Sequence, residues 1–171
     1  MMKYFILITL FIWTLAFVLG YNVDAKHFSS TAENLNQFNS YVREQTIASV
    51  LLNNSYVVLL NYLGFITIGM LTAGNLFFNG FFLGNILKGI STQLTIDTII
   101  LKILPHVIEL FAVWYSASIG FKLSYIVLMR LFSTKKHNLK NEFFRSLNQV
   151  AVCLIVILIA AFLEMKISVK I

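Results

Sequence analysis

Charge is what this sequence has least of. Of 171 residues 12% are charged, while 58% are hydrophobic, and the mean hydropathy is +0.82. A chain so composed cannot cover itself with polar surface in water, so a soluble globular domain is excluded and the lipid bilayer becomes its covering. The single cysteine, Cys153, excludes an internal disulfide. It sits in an apolar run without a placed base, so it reads as a buried apolar side chain and not as a nucleophile. Of the three histidines, His27 and His137 fall in polar intervals apart from His106, and no H-E-x-x-H occurs. A metal-assisted hydrolase has no ligand set here, and neither a metal nor any other cofactor is expected. A phosphate loop is also missing, so ATP-driven work would need a separate ATPase subunit. No complete catalytic constellation remains, and the expectation is a non-enzyme.

What is present is a series of long apolar runs. They predict an all-α polytopic transmembrane bundle, a single membrane domain over 1–171 with five spans near 4–20, 46–71, 75–90, 103–128 and 146–164. The first run follows only Lys3 and reads as an uncleaved helix, being long for the apolar part of a signal peptide. Between it and the second span lies a polar interval in which Ser30 and Glu33 form a capping-box pattern. Leu35, Phe38 and Val42 then recur at helical spacing, giving a short amphipathic helix in the first outer interval. Residues 72–74 read as the turn between the second and third spans, and residues 91–102 as a polar link.

Basic residues cluster as sparingly as the rest of the charge is spread. Arg130, Lys135, Lys136, Lys140 and Arg145 share one short gap, the basic loop 130–145. Placing it in the cytoplasm puts the amino terminus inside, the interval after the first span outside and the carboxyl terminus outside, in a multi-pass cell-membrane protein. Nucleic-acid binding would want this charge on a folded polar face, and is not expected.

Two constellations stand out within the spans. Gly80 and Gly84 lie four apart on one helix face, a small-x-x-x-small pattern that admits another helix closely, with Asn75 and Asn79 spaced to hydrogen-bond across such a contact. The fourth span opens on Pro105, His106 and Glu109. At roughly 100° per residue, His106, Glu109, Ala112, Val113, Ser116, Ala117, Gly120 and Ser124 share an arc of about 140°. Leu110, Phe111, Trp114, Tyr115, Ile119 and Phe121 fill the remainder, as on a face turned to lipid or bulky neighbours. A carboxylate in lipid needs a partner, so the stripe should face inward with His106 beside Glu109. Pro105 fits a first-turn position, where its missing N–H costs nothing. The pair reads either as a buried hydrogen-bonded register lock or as a proton relay, half a metal site or a polar anchor for a partner peptide.

F-F-N-G-F-F-L-G at residues 77–84, followed by L-P-H-V-I-E-L-F-A at residues 104–112, resembles the stage II sporulation protein M family of integral membrane proteins. Asn79, Gly80, Gly84, Pro105, His106 and Glu109 occupy the positions of its N-G-x-x-x-G and P-H-G elements and following glutamate. Val107 stands where the family has glycine, and the glutamate is one residue closer to the histidine. The resemblance implies one of two roles. One is a membrane scaffold for cell-wall hydrolases in sporulation. The other is a bacterial bacteriocin-cluster protein that works with an ABC transporter in maturation, export or self-protection of a hydrophobic peptide. The short outer interval offers little to large extracytoplasmic enzymes, so the second role is the expectation, with the scaffold, or a proton-coupled carrier using Glu109, as the alternative. The partner-binding or packing residues expected are Asn79, Gly80, Gly84, Pro105, His106, Glu109, Ser116 and Gly120, on surfaces that could also join two copies of the chain.

Overall fold

The computed structural model describes residues 1–23, 47–91, 96–132 and 138–168. These form five helices: α1 (Met2–Asn22), α2 (Ile47–Leu63), α3 (Met70–Ser91), α4 (Ile96–Phe132) and α5 (Leu139–Ser168), with a short 3-10 helix (Gly64–Thr67) after α2. No strand occurs among the described residues. Each helix contains a stretch long and apolar enough to cross a membrane: Met2–Asn22, Ala48–Thr67, Met70–Gly89, His106–Phe132 and Leu139–Leu163. The all-α polytopic architecture with five candidate spans is therefore the observed one. The amphipathic helix expected around Leu35 to Val42 lies outside the described residues.

α4 is the axis of the bundle. It touches every other helix, and 61% of its spanning stretch is buried, against 22% to 33% in the others. Ala112, Ile119 and Leu123 pack with Val58 and Tyr62 of α2 and with Val150, Cys153 and Ile157 of α5. On its other side Val113 and Ala117 pack with Trp13 of α1, Val57 of α2 and Leu76 of α3. Two contacts set the antiparallel register of α1 on α4: Thr9 Oγ1 to Ser118 Oγ at 3.2 Å, and the edge-on Trp13–Trp114 pair with centroids 5.1 Å apart. Of the residues assigned to a face turned to lipid or bulky neighbours, Ile119 is fully buried among such neighbours, while Phe111 faces outward; Ser118, Lys122 and Leu123 are buried as well.

Local chemistry moves three boundaries. The turn between α2 and α3 falls at Ile68 and Gly69, with φ of 54° and 89°, and not at residues 72–74, which lie inside α3. A left-handed pair ends the 3-10 segment, with Gly69 N–H donating to the Gly64 carbonyl at 2.8 Å, much as αL residues end other helices. The Thr67 hydroxyl oxygen then accepts the Leu71 N–H at 2.9 Å and caps α3. At the same end of the bundle, where Phe143 packs on Phe65, α5 starts before the basic residues end. Asn138 caps it, accepting the Asn141 N–H at its side-chain oxygen, so Lys140, Glu142 and Arg145 are helical. Finally, α4 begins at Ile96. The expected polar link of residues 91–102 is therefore helical from there, and Pro105 stands in the helix interior instead of its first turn. At 1.5 Å per residue α4 is about 55 Å long, well beyond the roughly 30 Å of hydrocarbon.

Candidate functional site

Just after Pro105 on α4, His106 Nδ1 lies 3.1 Å from Glu109 Oε2, one helical turn apart. The carboxylate side chain is 7% exposed and the imidazole 43%. The second carboxylate oxygen, Oε1, is buried without a hydrogen-bond partner among the described residues. An i, i+3 spacing brings the two groups together because residues three apart share a helix face. The pair is thus a buried acid with a half-open imidazole over it, one acceptor engaged and one idle. Among the described residues no three His, Cys, Asp or Glu side chains gather closely enough to hold a metal ion.

Deeper in the bundle, Asn61 of α2 is the hub of an amide network joining three helices. Its Nδ2 donates to the Val113 carbonyl at 3.2 Å and to Ser116 Oγ at 3.1 Å. Its Oδ1 accepts from Asn75 Nδ2 at 2.7 Å, and its backbone carbonyl accepts from Thr72 Oγ1 at 2.9 Å. Asn75 Nδ2 also reaches the Val57 carbonyl at 3.0 Å. Asn79 in turn donates to the Asn75 carbonyl at 2.8 Å and to Asn75 Oδ1 at 3.1 Å. Asn75 therefore bonds across the helix contact as the spacing suggested, whereas Asn79 bonds within α3. Gly120 makes the network possible: a Cβ there would run into the Asn61 carbonyl and the Thr72 hydroxyl.

The glycine face of α3 has its partner inside the chain. A Cβ on Gly80 would strike the Trp13 carbonyl at 2.6 Å, and one on Gly84 would overlap the Phe17 carbonyl. Gly20 of α1 meets the Phe81 backbone in the same way. This seam lets α1 and α3 approach backbone to backbone, and it is the most extensive helix pairing in the molecule. The surface expected to take an external partner through Gly80 and Gly84 is thus filled by α1.

A third polar centre, Lys122 with Glu142, escaped the sequence reading. The Lys122 ammonium, 8% exposed, is 2.5 Å from Glu142 Oε2 on α5. Gln149 of α5 adds a second tie, donating to the Tyr115 hydroxyl at 2.8 Å. The one available signal was a lysine inside an apolar span followed by the lone acid of the basic gap. Of the residues singled out from sequence, Ser116 and Gly120 meet at the Asn61 hub, Asn79 hangs from it through Asn75, and His106 with Glu109 forms a separate pair. The side chain of Pro105 lies outside those described.

Between α2 and α3 a groove of about 400 Å³ opens on the outside of the bundle, lined by Asn53, Tyr56, Val57, Asn75, Phe78 and Asn79 among others.

The sequence that folds into these helices matches the stage II sporulation protein M family over residues 4–168. The chain belongs to that family. The match extends well beyond the two motifs to nearly the whole chain. An uncharacterized protein of Methanocaldococcus jannaschii is 35% identical over 180 residues, covering 99% of this chain and 97% of that relative. No solved structure matches. As a stage II sporulation protein M family member with five apolar helices, the protein is a multi-pass membrane protein.

Proposed function

We propose that this family member is a non-catalytic membrane subunit that assembles with an ABC transporter and supports maturation, export or self-protection for a hydrophobic, bacteriocin-type peptide. The observation that carries the reading is how the polar side chains are used. Asn61 with Asn75, Thr72 and Ser116, Lys122 with Glu142, and Gln149 with Tyr115 form hydrogen bonds that fix helix to helix. That pattern supports a rigid structural part. In this reading the basic gap faces the cytoplasm, where an ATPase would stand, with the amino terminus inside and the carboxyl terminus outside. The test is purification of the tagged chain from its own host in mild detergent, paired with deletion of its gene. A transporter recovered in fixed ratio, with peptide export or producer survival lost on deletion, supports the reading. A chain that purifies without the transporter, and whose deletion leaves export and survival unchanged, removes it.

One observation favours a second reading, a proton-coupled carrier. Glu109 Oε1 is buried and idle while His106 remains half open, and an ionisable residue within a span commonly marks a transport path. In a carrier, Glu109→Gln stops turnover without disturbing assembly.

A further inference from the structure

Asn53 is an anomaly on the membrane face of the bundle. It sits in the stretch Ala48–Thr67, about 8 Å in from the start of that stretch at 1.5 Å per residue, and it is exposed. Its amide has no hydrogen-bond partner among the described residues. Lipid tails carry neither donor nor acceptor, so a covering of lipid leaves this amide unsatisfied, unlike the exposed leucines and phenylalanines beside it. The same groove shows two further idle groups. The Tyr56 hydroxyl, on a side chain 62% exposed, has no partner among the described residues, and Asn79 offers its Oδ1 while its Nδ2 is held by Asn75. Tyr56 and Asn79 are each about 12 to 14 Å from an end of their spans, near the middle of the bilayer.

We propose that this groove is the interface of a parallel homodimer in which Asn53 hydrogen-bonds its counterpart in a second copy. Copies of one membrane protein share one orientation, so a two-fold axis relating them runs along the membrane normal. Every residue near that axis then meets its own counterpart at equal depth. A lysine or a carboxylate so placed would face a like charge. An amide carries both donors and an acceptor, so two asparagines at one depth satisfy each other reciprocally. The donor and acceptor left over, Tyr56 O–H and Asn79 Oδ1, are complementary between copies in the same sense. The glycine seam that would otherwise attract a second helix is closed by α1 within each copy, so it is not where a second copy would dock. The proposal stands apart from the transporter reading, since it needs only the chain itself.

The test uses purified full-length chain reconstituted in lipid vesicles, so that a second copy is the only protein available. Asn53→Cys and Tyr56→Cys should give an oxidative cross-link at twice the chain mass. The unaltered chain, whose Cys153 is 2% exposed, and Phe111→Cys and Val152→Cys on other outward faces should give no cross-link. Dimer affinity, read by dilution in the bilayer, should weaken about tenfold in Asn53→Leu and be largely restored in Asn53→Gln. Cross-linking that is equal at all four positions, or absent at 53 and 56, overturns the proposal. So does an Asn53→Leu chain that associates like the unaltered one, which would assign the groove to lipid. The same Cys variants in host membranes give a control: a cross-link there only to a protein of different mass overturns the homodimer in favour of a foreign helix.

Discussion

Glu142, twenty residues along the chain from Lys122, places its Oε2 2.5 Å from that buried ammonium and closes α5 onto α4. The two ends of this bond are unequal, since Lys122 is 8% exposed and Glu142 30%. Removing Glu142 leaves a cation inside the bundle, whereas removing Lys122 leaves an acid that can still reach water. Glu142→Ala should therefore cost about 3 kcal/mol, Lys122→Met markedly less, and the double variant Lys122→Met/Glu142→Leu should lie within about 1 kcal/mol of the unaltered chain. Equilibrium unfolding of the four proteins in detergent measures these differences.

Glycines in α3 should divide into two classes by what faces them. A Cβ at Gly84 meets the α1 backbone, while one at Gly74 meets nothing within 4 Å. Gly84→Ala should destabilise by about 2 kcal/mol through separation of α1 from α3. Gly74→Ala, in an open helical position, should be neutral or stabilise by about 0.5 to 1 kcal/mol. The same unfolding assay decides, with a Trp13 fluorescence change expected in the first variant and none in the second.

Loss of the Asn61 side chain removes hydrogen bonds to α3 and α4 together. Asn61→Leu should cost about 2 kcal/mol. Asn79→Ala, which touches the network only through Asn75, should cost less than about 1 kcal/mol. Ser116→Ala should fall between them, because its hydroxyl both accepts from Asn61 and donates to the Val113 carbonyl. Hydrogen exchange of the α2 and α3 amides should rise in the order of these costs.

Orientation is open to a labelling experiment. With Cys153 buried, Ser133→Cys supplies one reactive thiol beside Lys135 and Lys136. A membrane-impermeant maleimide should reach it only from the cytoplasmic side.

Hydropathy made the five helices legible, and helical spacing made His106 and Glu109 neighbours before any coordinates, because both are short-range properties of one helix. The same arithmetic found that Gly80 and Gly84 pack, yet could not say against what. Their partners on α1, Trp13 and Phe17, are 67 residues earlier (80 − 13 and 84 − 17), and the match is one of backbone shape. Lys122 and Asn61 were illegible for a related reason, since each draws its role from a helix remote in sequence. The α2/α3 turn was misplaced because Ile68, Gly69 and Met70 stay apolar through the bend, whereas residues 72–74 look polar and small. What marks the turn is the positive φ of Ile68 and Gly69, to which hydropathy is blind. On α4 the spacing left lipid and bulky neighbours as alternatives for one face, and only the surrounding helices decide between them, with Ile119 buried against bulky side chains and Phe111 exposed.

The central claim, a subunit that works by assembly and not by carrying protons, rests most heavily on Glu109. The most direct measurement replaces it with glutamine, which keeps the shape and removes the ionisable group. In the host, co-purification of the transporter and export of its peptide are then read side by side. The account predicts that Glu109→Gln matches the unaltered chain in both. A variant that still assembles with the transporter in full, yet no longer supports export, would contradict it.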